Sequence, residues 1–473
     1  MRDRSLLHRV TVILLVVIGV IAAAFILSNR RPRDFAVYML AAERIVHGDQ
    51  IYRPDDPPAF TYPPFFALPF VAYLPFPPRV QLFLWSLTNL GLLAAVLAIL
   101  SRWISPHMST ASDVPRRSND GLTEQNTQPD REGRGRSSTA IWAWVIILVL
   151  SARFLVSPIE YHAHDLILLV LVLLGGVAAA RGGQSGAGAW VGLATACKAT
   201  PLLFLPVFAE QRRWRACAAL VAVLITATLL PDMVFPNREG EPWAMCWYEN
   251  FVSKVNVGAS PEAGGAWARW DILNQSLPGT LYRLTSRPQN TSQINVCIMP
   301  LGESQLRILT LVLEALIVVM IGIAAWPRKN DSRIADHRSL VTLGQFGAVL
   351  CGMLLLSPMS SKHHFCTLVV PIAFCVVYVL YHRRDAIVIA GLVCVFCMGT
   401  LGAKDLIGDE IGDWLQACGS LAICSLACLI ATSWALLRLS ASNQSQCRDA
   451  DEDDDSELPP DAVIKLRSYQ KSA

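Results

Sequence analysis

Long apolar runs separated by polar segments organise the whole chain. The first run covers residues 10–27, and further runs of similar length follow at about 79–103, 139–156, 163–181, 214–233, 306–326, 339–356, 364–381, 385–402 and 416–438. A helix needs about 20 apolar residues to cross the hydrocarbon core of a bilayer. The pattern therefore predicts an all-α polytopic membrane protein with about ten transmembrane helices.

The first run has an alternative interpretation, a cleaved signal peptide. It is longer than a usual signal-peptide core, and the arginine-rich residues 30–33 that follow it are a poor cleavage context. We therefore expect residues 10–27 to be a retained span.

One apolar stretch, residues 186–208, does not fit the alternation of inner and outer loops. Basic segments typical of cytoplasmic loops flank it on both sides, and glycines in front of Lys198 and prolines behind it indicate two short helices that meet at a break. Irregular backbone at membrane depth is tolerated only inside protein or beside a watery cavity. We therefore predict a short re-entrant helix pair whose break borders the working cavity.

Composition and charge agree with a membrane protein. Hydrophobic residues make up 53% of the chain and charged residues 16%, whereas soluble domains carry about a quarter charged residues. The net charge of +3 is too small to indicate nucleic acid as a partner. Basic residues concentrate in alternate loops, and because cytoplasmic loops are enriched in Lys and Arg, both termini are predicted to be cytoplasmic.

These predictions divide the chain into two regions. Residues 1–440 form a membrane-embedded domain, and residues 441–473 form a disordered acidic cytoplasmic tail. Two polar segments of the first region, 29–78 and 234–305, fall on the outer side and contain amphipathic pieces suited to the membrane interface. The Arg- and Ser-rich residues 104–138 are typical of a disordered cytoplasmic insertion.

Asp34 is the acidic candidate for catalysis. It follows the first apolar run, at the outer boundary, beside Arg33. An adjacent cation favours the ionised carboxylate, and an ionised Asp can accept the proton of an attacking hydroxyl. If a helix begins here, Asp34 and Tyr38 share a face at i, i+4. The alternative is that Asp34 only caps the N-terminus of that helix.

Two cationic clusters lie at predicted outer boundaries. Three arginines within residues 30–33 lie outside against the positive-inside bias, and the partner could be a substrate phosphate or ordinary phospholipid headgroups. Lys362, His363 and His364 form the second cluster, able to hold or protonate a leaving phosphate unless they only snorkel at the interface.

No metal site is predicted. Adjacent histidines lack the i, i+4 spacing of a helical zinc pair, and the cysteines show no C-x-x-C…H-x-H spacing. Cys246 and Cys297 fall in one polar segment and could pair if that segment faces an oxidising compartment.

A polar cluster in the second outer segment suits a sugar. Asn274, Gln275 and Ser276, with Arg283 behind them, can make the directional hydrogen bonds that sugar hydroxyls require. Helix caps and interfacial anchors use the same residue types, so those alternatives remain open here.

Two further positions place ionisable groups within reach of the membrane. His164 and Asp165 lie at the outer mouth of a span, and Lys198 lies at the break of the re-entrant pair. Such groups are functional candidates by default. The alternatives are that His164 and Asp165 orient each other and that Lys198 snorkels toward the cytoplasm.

Ordered motifs cover most of the chain from about residue 30 to about residue 370. They are Asp34-Phe35-Ala36-Val37-Tyr38 with Tyr62-Pro63-Pro64, then Lys198-Ala199-Thr200-Pro201, Asn274-Gln275-Ser276-Leu277 through Arg283, and Ser357-Pro358 through His363-His364. In this order they resemble glycosyltransferase family 87, within the GT-C superfamily of polytopic transferases. The chain departs from the family at residues 161–165, Tyr-His-Ala-His-Asp, where a Gly-Gln…Asn pattern would open the fourth span. The departure bears on the identity of the sugar or acceptor.

The resemblance implies a GT-C fold and an inverting transfer from a polyprenyl-phosphate sugar to an acceptor hydroxyl, with Asp34 at the position of the base. The residues predicted to hold the donor phosphate are Arg33, Lys198, Lys362, His363 and His364. The residues predicted to contact the sugar or acceptor are Tyr38, Tyr62, His164, Asn274, Gln275 and Arg283. No metal and no cofactor beyond the lipid-linked donor is expected, because cationic side chains can neutralise the leaving phosphate.

The remaining expectations concern partners and location. The acceptor would be a glycolipid or glycan, the surrounding partners membrane lipids, and the site would lie on the outer face of the plasma membrane. A transporter or flippase is the main alternative, but transporters usually place ionisable groups near the midplane, often in inverted repeats. Here the ionisable groups lie at the outer ends of spans.

Overall fold

The computed structural model describes residues 33–56, 59–109, 129–255, 265–288, 290, 293–326 and 335–457, with side chains for 34–56, 59–108, 139–255, 265–288, 290, 293–326 and 338–440. Several predicted features lie outside the described residues. They are the first predicted span, the arginines before Arg33, much of the predicted insertion and the end of the tail.

Within the described residues the chain is helical and contains no strand. In chain order the principal helices are α1 (Arg33–His47), α2 (Pro78–Ser109), α3 (Pro129–Glu160), α4 (Asp165–Ala180), α5 (Gln184–Cys197), α6 (Phe204–Glu210), α7 (Trp214–Val234), α8 (Trp243–Asn250), α9 (Leu277–Thr285), α10 (Glu303–Ala325), α11 (Ala335–Leu356), α12 (Val369–Val377), α13 (Ala386–Val395), α14 (Asp409–Ala417) and α15 (Ser420–Glu457). The prediction of an all-α polytopic fold is confirmed.

Seven of the described helices are long and apolar enough to cross a membrane. They are Pro78–Met108, Thr139–Glu160, Trp214–Val234, Glu303–Ala325, Arg338–Leu356, Lys362–His382 and Ser420–Ser440. Two shorter apolar helices, Asp165–Ala180 and Ala386–Leu401, coincide with the remaining predicted spans. Each span predicted within the described residues therefore corresponds to an apolar helix.

The segment predicted to be re-entrant consists of two short helical pieces, as its glycines and prolines indicated. Helix α5 ends at Cys197, and Lys198 directly after it has an extended backbone (φ −156°, ψ 128°). A 3₁₀ turn, Thr200–Leu203, then leads into α6. Pro201 fits the first turn of that piece because a proline there removes only an N–H that has no partner within the helix.

Helix α5 packs backbone to backbone against α7. A Cβ atom at Gly188 would clash with the carbonyl of Ala216, and one at Gly192 would clash with Leu220. Glycine lacks the side-chain atoms that would hold the two helices apart. This close contact supports the end of α5, where Lys198 lies.

The segment around α1, predicted to be outer, has an aromatic core. Phe35 stacks on Trp85 with ring centroids 5.7 Å apart, and the Tyr38 ring lies 4.9 Å from that of Phe70. All four side chains are buried, and burying an aromatic side chain of this size contributes about 1.5–3 kcal/mol. The layer fixes α1, and with it Asp34, against the helices below.

A tight turn connects α3 to α4. His162 in this turn has φ of +54°, in the left-handed region that non-glycine residues rarely adopt. The Trp85 indole N–H donates to the His162 carbonyl (2.8 Å), and the Ala163 N–H donates to the Pro158 carbonyl (2.8 Å). These bonds stabilise a strained turn, which places the first residue of α4 close to the last residue of α3.

Cys246 and Cys297 are both free thiols. The Cys246 thiol donates to Glu241 Oε2 at 3.1 Å. Burial raises the pKa of Cys246 to about 11, so its thiol is protonated at neutral pH. The two cysteines are not paired in this structure.

Candidate functional site

Asp165 lies at the centre of a buried group of ionisable side chains. Its Oδ1 accepts a bond from Lys198 Nζ at 2.9 Å and lies 4.0 Å from His364 Nε2. Its Oδ2 lies 3.7 Å from His363 Nε2. Asp165 is only 1% exposed, and a buried carboxylate is stable in a protein when cations and donors surround it in this way.

Three separate elements bring this group together. Asp165 occupies the first turn of α4, where the positive end of the helix dipole favours a carboxylate. Lys198 comes from the break after α5, and both histidines come from a 3₁₀ segment, Lys362–Leu368, in front of α12. Lys198 therefore points into the group rather than snorkelling away from it. That the break borders a working cavity stays a prediction.

Asp34 joins the group from a fourth element, α1. Its Oδ2 lies 3.8 Å from His363 Nε2, and its side chain is 24% exposed. The helix begins at Arg33, so Asp34 lies inside the first turn and not at the flanking cap position. The cap interpretation is therefore not supported, and Asp34 instead lies beside His363. The side chain of Arg33 lies outside the part of the chain whose side chains are described.

Ser361 orients both histidines and is not among the residues that the sequence analysis predicts for the site. Its Oγ lies 2.9 Å from His363 Nε2, and its backbone N–H donates to His364 Nδ1 at 3.2 Å. Since Nδ1 of His364 accepts a bond, the proton of the neutral ring is on Nε2, the atom nearest Asp165. The sequence feature that could have identified Ser361 is its position directly before Lys362, His363 and His364.

Lys362 lies at the edge of the group and has a partner of its own. Its Nζ is 3.5 Å from Glu160 Oε2 and 5.8 Å from the centre of the Tyr161 ring. The Tyr161 ring in turn lies 5.9 Å from the His363 ring. Lys362 is thus adjacent to the histidines but directed toward the end of α3.

His164 is enclosed by aromatic side chains of α1 and of the segment that follows it. Its Nδ1 is hydrogen-bonded to the Tyr38 hydroxyl (2.9 Å), and its ring lies 4.6 Å from Tyr62 and 4.4 Å from Phe66. Burial lowers the pKa of His164 to about 3 and raises the pKa of both tyrosines well above the ordinary value. All three side chains are therefore neutral at physiological pH. Tyr62 is half-buried, whereas Tyr38 and His164 are fully buried. Contact with a sugar stays a prediction for all three.

Tyr38→Phe should lower the free energy of unfolding by about 1–3 kcal/mol, because it leaves a buried imidazole nitrogen without its partner. Thermal unfolding in detergent would measure the loss. Tyr248→Phe is the matched control, since Tyr248 is 53% exposed and should show no change. Unchanged stability of Tyr38→Phe together with weaker acceptor binding would instead assign Tyr38 to direct contact with the acceptor.

The polar cluster around Asn274 is fully buried and bonded to the segment that carries the histidines. The Gln275 backbone N–H donates to Ser360 O (2.7 Å), and the Ser276 hydroxyl donates to Pro358 O (3.2 Å). The Ser360 N–H donates to Asn274 Oδ1 (3.4 Å). These bonds fix residues 358–360, directly ahead of Lys362.

Arg283 and the Gln275 side chain extend this support to α14. The Arg283 guanidinium donates to the carbonyls of Ala417 (2.9 Å), Asp271 (2.7 Å) and Asn274 (2.8 Å). Gln275 Nε2 donates to Gln416 O (2.7 Å). Burial lowers the pKa of Arg283 to about 10, so the group remains charged at neutral pH. These contacts describe a scaffold under the site, and binding of a sugar by Asn274, Gln275 or Arg283 stays a prediction.

Asp165, His363 and His364 also satisfy the distances of a metal site. One ligand atom from each lies within 4.8 Å of the other two. Lys198, however, donates to Asp165 Oδ1 at 2.9 Å. An ammonium in that position competes with a cation for the same oxygen and repels it. The same geometry suits an anion, which the ammonium and imidazole N–H groups can bind.

Comparison with known proteins identifies the family to which the chain belongs. The sequence profile of glycosyltransferase family 87 matches residues 60–358, and no match was found among curated proteins or among solved structures. The matched range contains Tyr62, Asp165 and Lys198, while Asp34 and the two histidines lie just outside it and join the site through the fold. Because the match covers more than half of the chain, the protein belongs to glycosyltransferase family 87 and is a membrane glycosyltransferase.

Proposed function

We propose that the protein transfers a hexose or pentose from a polyprenyl-phosphate donor to an acceptor hydroxyl, inverting the anomeric carbon, with Asp34 as general base. The observation that carries this proposal is that the partly exposed Asp34 carboxylate meets a buried group of hydrogen-bond donors, Lys198, His363 and His364, at one atom, His363 Nε2. Transfer from a sugar phosphate with inversion needs both a proton acceptor and a group that holds the leaving phosphate within one site, on opposite faces of the anomeric carbon.

The bonds change as follows. The acceptor oxygen attacks the anomeric carbon from the side opposite the phosphate, which inverts that carbon. A new carbon–oxygen bond forms while the bond from the anomeric carbon to the phosphate oxygen breaks, and its electron pair stays on the phosphate. Asp34 accepts the proton of the attacking hydroxyl.

The leaving phosphate would be held by Lys198, His363 and His364, with Arg33 and Lys362 at the edge. Lys198 and the imidazole N–H groups donate charge-assisted hydrogen bonds to phosphate oxygens. Because these groups can neutralise the developing charge, the proposed mechanism requires no metal or other cofactor.

The acceptor would be a glycolipid or glycan that approaches on the exposed side of Asp34. Tyr62 is the predicted sugar contact that keeps part of its side chain accessible. The polyprenyl tail would lie between helices among the membrane lipids. We place the site on the outer face of the plasma membrane, with both termini cytoplasmic, because the basic loops favour that orientation.

The test is transfer by the purified protein in lipid nanodiscs, with an extract of membrane glycolipids as acceptor. Radiolabelled polyprenyl-phosphate mannose and polyprenyl-phosphate arabinose would be compared with the corresponding nucleotide sugars. We expect label to move only from one of the lipid-linked donors, since only these present a membrane-bound phosphate to the buried cations. NMR of the product should show the anomeric configuration opposite to that of the donor.

Transfer from a nucleotide sugar, or retention of configuration, would contradict the proposal. The purified protein reconstituted into sealed vesicles can also test the transporter alternative. Movement of the lipid-linked sugar across the bilayer without any new glycosidic bond would favour that alternative.

A further inference from the structure

The carboxylate of Asp165 occupies the middle of the proposed phosphate site. Lys198 contacts it directly at 2.9 Å, and both imidazoles lie within 4.0 Å of it. An anion that binds these cations must therefore lie near a fixed negative charge. The mechanism proposed above gives this carboxylate no part in bond making or bond breaking.

The surroundings of Asp165 make its charge effective. The carboxylate is 1% exposed and the Lys198 side chain 14% exposed, so little water separates them from a bound phosphate. Charges interact more strongly in such an environment than in bulk water. Asp165 also neutralises Lys198 when no lipid is bound, which keeps a buried ammonium compatible with the fold.

The proposed reaction changes the charge of the lipid phosphate. The donor is a phosphodiester with a single negative charge. After the bond to the anomeric carbon breaks, the lipid carries a phosphomonoester, whose charge at neutral pH is about −1.5 to −2. The product therefore gains negative charge at the place where Asp165 lies.

We propose that Asp165 sets the charge selectivity of this site: it favours the singly charged phosphodiester of the donor over the more highly charged phosphomonoester of the product, and so promotes release of the product lipid. The proposal rests on the proposed function, because it assumes that the cations bind a lipid phosphate. Asp165 acts through repulsion and through Lys198 and does not touch the reacting sugar carbon, so it is a specificity-determining residue.

The Asp165→Asn variant separates charge from shape. Asparagine keeps the size of the side chain and an oxygen that can accept the bond from Lys198, but it removes the negative charge. Asp165→Glu keeps the charge and shifts its position. Asp49→Asn removes a carboxylate from an exposed ion pair with Arg238 and controls for the change in net charge.

The experiment uses the full chain in phosphatidylcholine nanodiscs and two probes that need no knowledge of the sugar. One probe is polyprenyl phosphate, and the other is its methyl phosphodiester, which has the same lipid and a single charge. Dissociation constants for both probes would be measured for the unaltered protein and each variant. Thermal unfolding of each variant would confirm that it is folded.

We expect Asp165→Asn to tighten binding of the phosphomonoester relative to the methyl phosphodiester by about tenfold, since one buried repulsive charge is removed. Asp165→Glu and Asp49→Asn should leave that ratio within about twofold of the unaltered protein. An unchanged ratio in Asp165→Asn, or equal weakening of both probes with a lower melting temperature, would overturn the inference and leave Asp165 a structural residue. If the unaltered protein binds neither lipid, the proposed donor class fails, and the inference fails with it.

Discussion

Asp34→Asn should lower the turnover number about 10²- to 10⁴-fold, because the variant cannot accept the proton of the acceptor hydroxyl. Asn has the same shape as Asp, so the contact of residue 34 with His363 should keep its geometry. Donor binding should therefore change little. Loss of the carboxylate from the first turn of α1 should cost about 0.3–1 kcal/mol of stability through the helix dipole. Single-turnover transfer of label from the lipid donor, with donor affinity measured separately, would distinguish the two effects.

The control for this result is Asp55→Asn, which removes an exposed carboxylate from the segment that follows α1. It should transfer sugar at the rate of the unaltered protein. Transfer by Asp34→Asn within about twofold of that rate would exclude Asp34 as the base, since a general base contributes at least about a hundredfold. Loss of activity with equal loss of donor binding would instead place Asp34 in the phosphate site.

Lys198→Met should lower the free energy of unfolding by about 3–5 kcal/mol, because it leaves the Asp165 carboxylate buried without its ammonium partner. Met has a similar length and no charge, so the change isolates the ion pair from packing. Sugar transfer should also be lost, since Lys198 is proposed to hold the leaving phosphate. Thermal or denaturant unfolding in detergent and the transfer assay would measure the two losses independently.

A double variant tests whether the lost stability comes from the unpaired charge of Asp165. Adding Asp165→Asn to Lys198→Met removes the stranded charge, so most of the lost stability should return while transfer stays absent. Arg238→Met is the matched control, because it breaks an ion pair with Asp49 that is exposed on both sides. Arg238→Met should lower the free energy of unfolding by no more than about 1 kcal/mol. A Lys198→Met variant as stable as this control would show that the buried pair does not stabilise the fold.

The helical fold could be predicted from sequence because it depends on a property that sequence displays directly. The lengths of apolar runs set the lengths of spans, and each predicted span within the described residues corresponds to an apolar helix. The break at Lys198 could also be predicted, since glycine and proline act on the backbone at their own positions.

The arrangement of the site could be predicted only in part. Charge at the predicted outer ends of spans pointed to Asp34 and His363, and the break in residues 186–208 pointed to Lys198, but no local pattern shows that these residues meet at Asp165. The bond from Tyr38 to His164 joins residues 126 positions apart. Such contacts depend on how helices pack, which apolar periodicity does not specify.

The roles of the buried residues around Asn274 could not be predicted from their residue types. Asn274, Gln275 and Arg283 have the donors and acceptors that a sugar would need, and in the structure most of those groups bind backbone carbonyls. Residue type alone does not distinguish hydrogen bonds to a ligand from hydrogen bonds to the backbone. Burial distinguishes them, and burial is known only from the fold.

The glycine contact between α5 and α7 has a consequence for how accurately the lysine is placed. A lysine ammonium ends a flexible four-carbon stem, so its position is normally poorly defined. Here the stem starts from a backbone that lies directly against another backbone at Gly188 and Gly192, with no layer of side chains between them that could rearrange. The remaining freedom of the ammonium is that of its own stem, and the bond to Asp165 limits it further. A methyl group added at Gly188, ten residues earlier, would push α5 away from α7 and would therefore displace the ammonium group of Lys198.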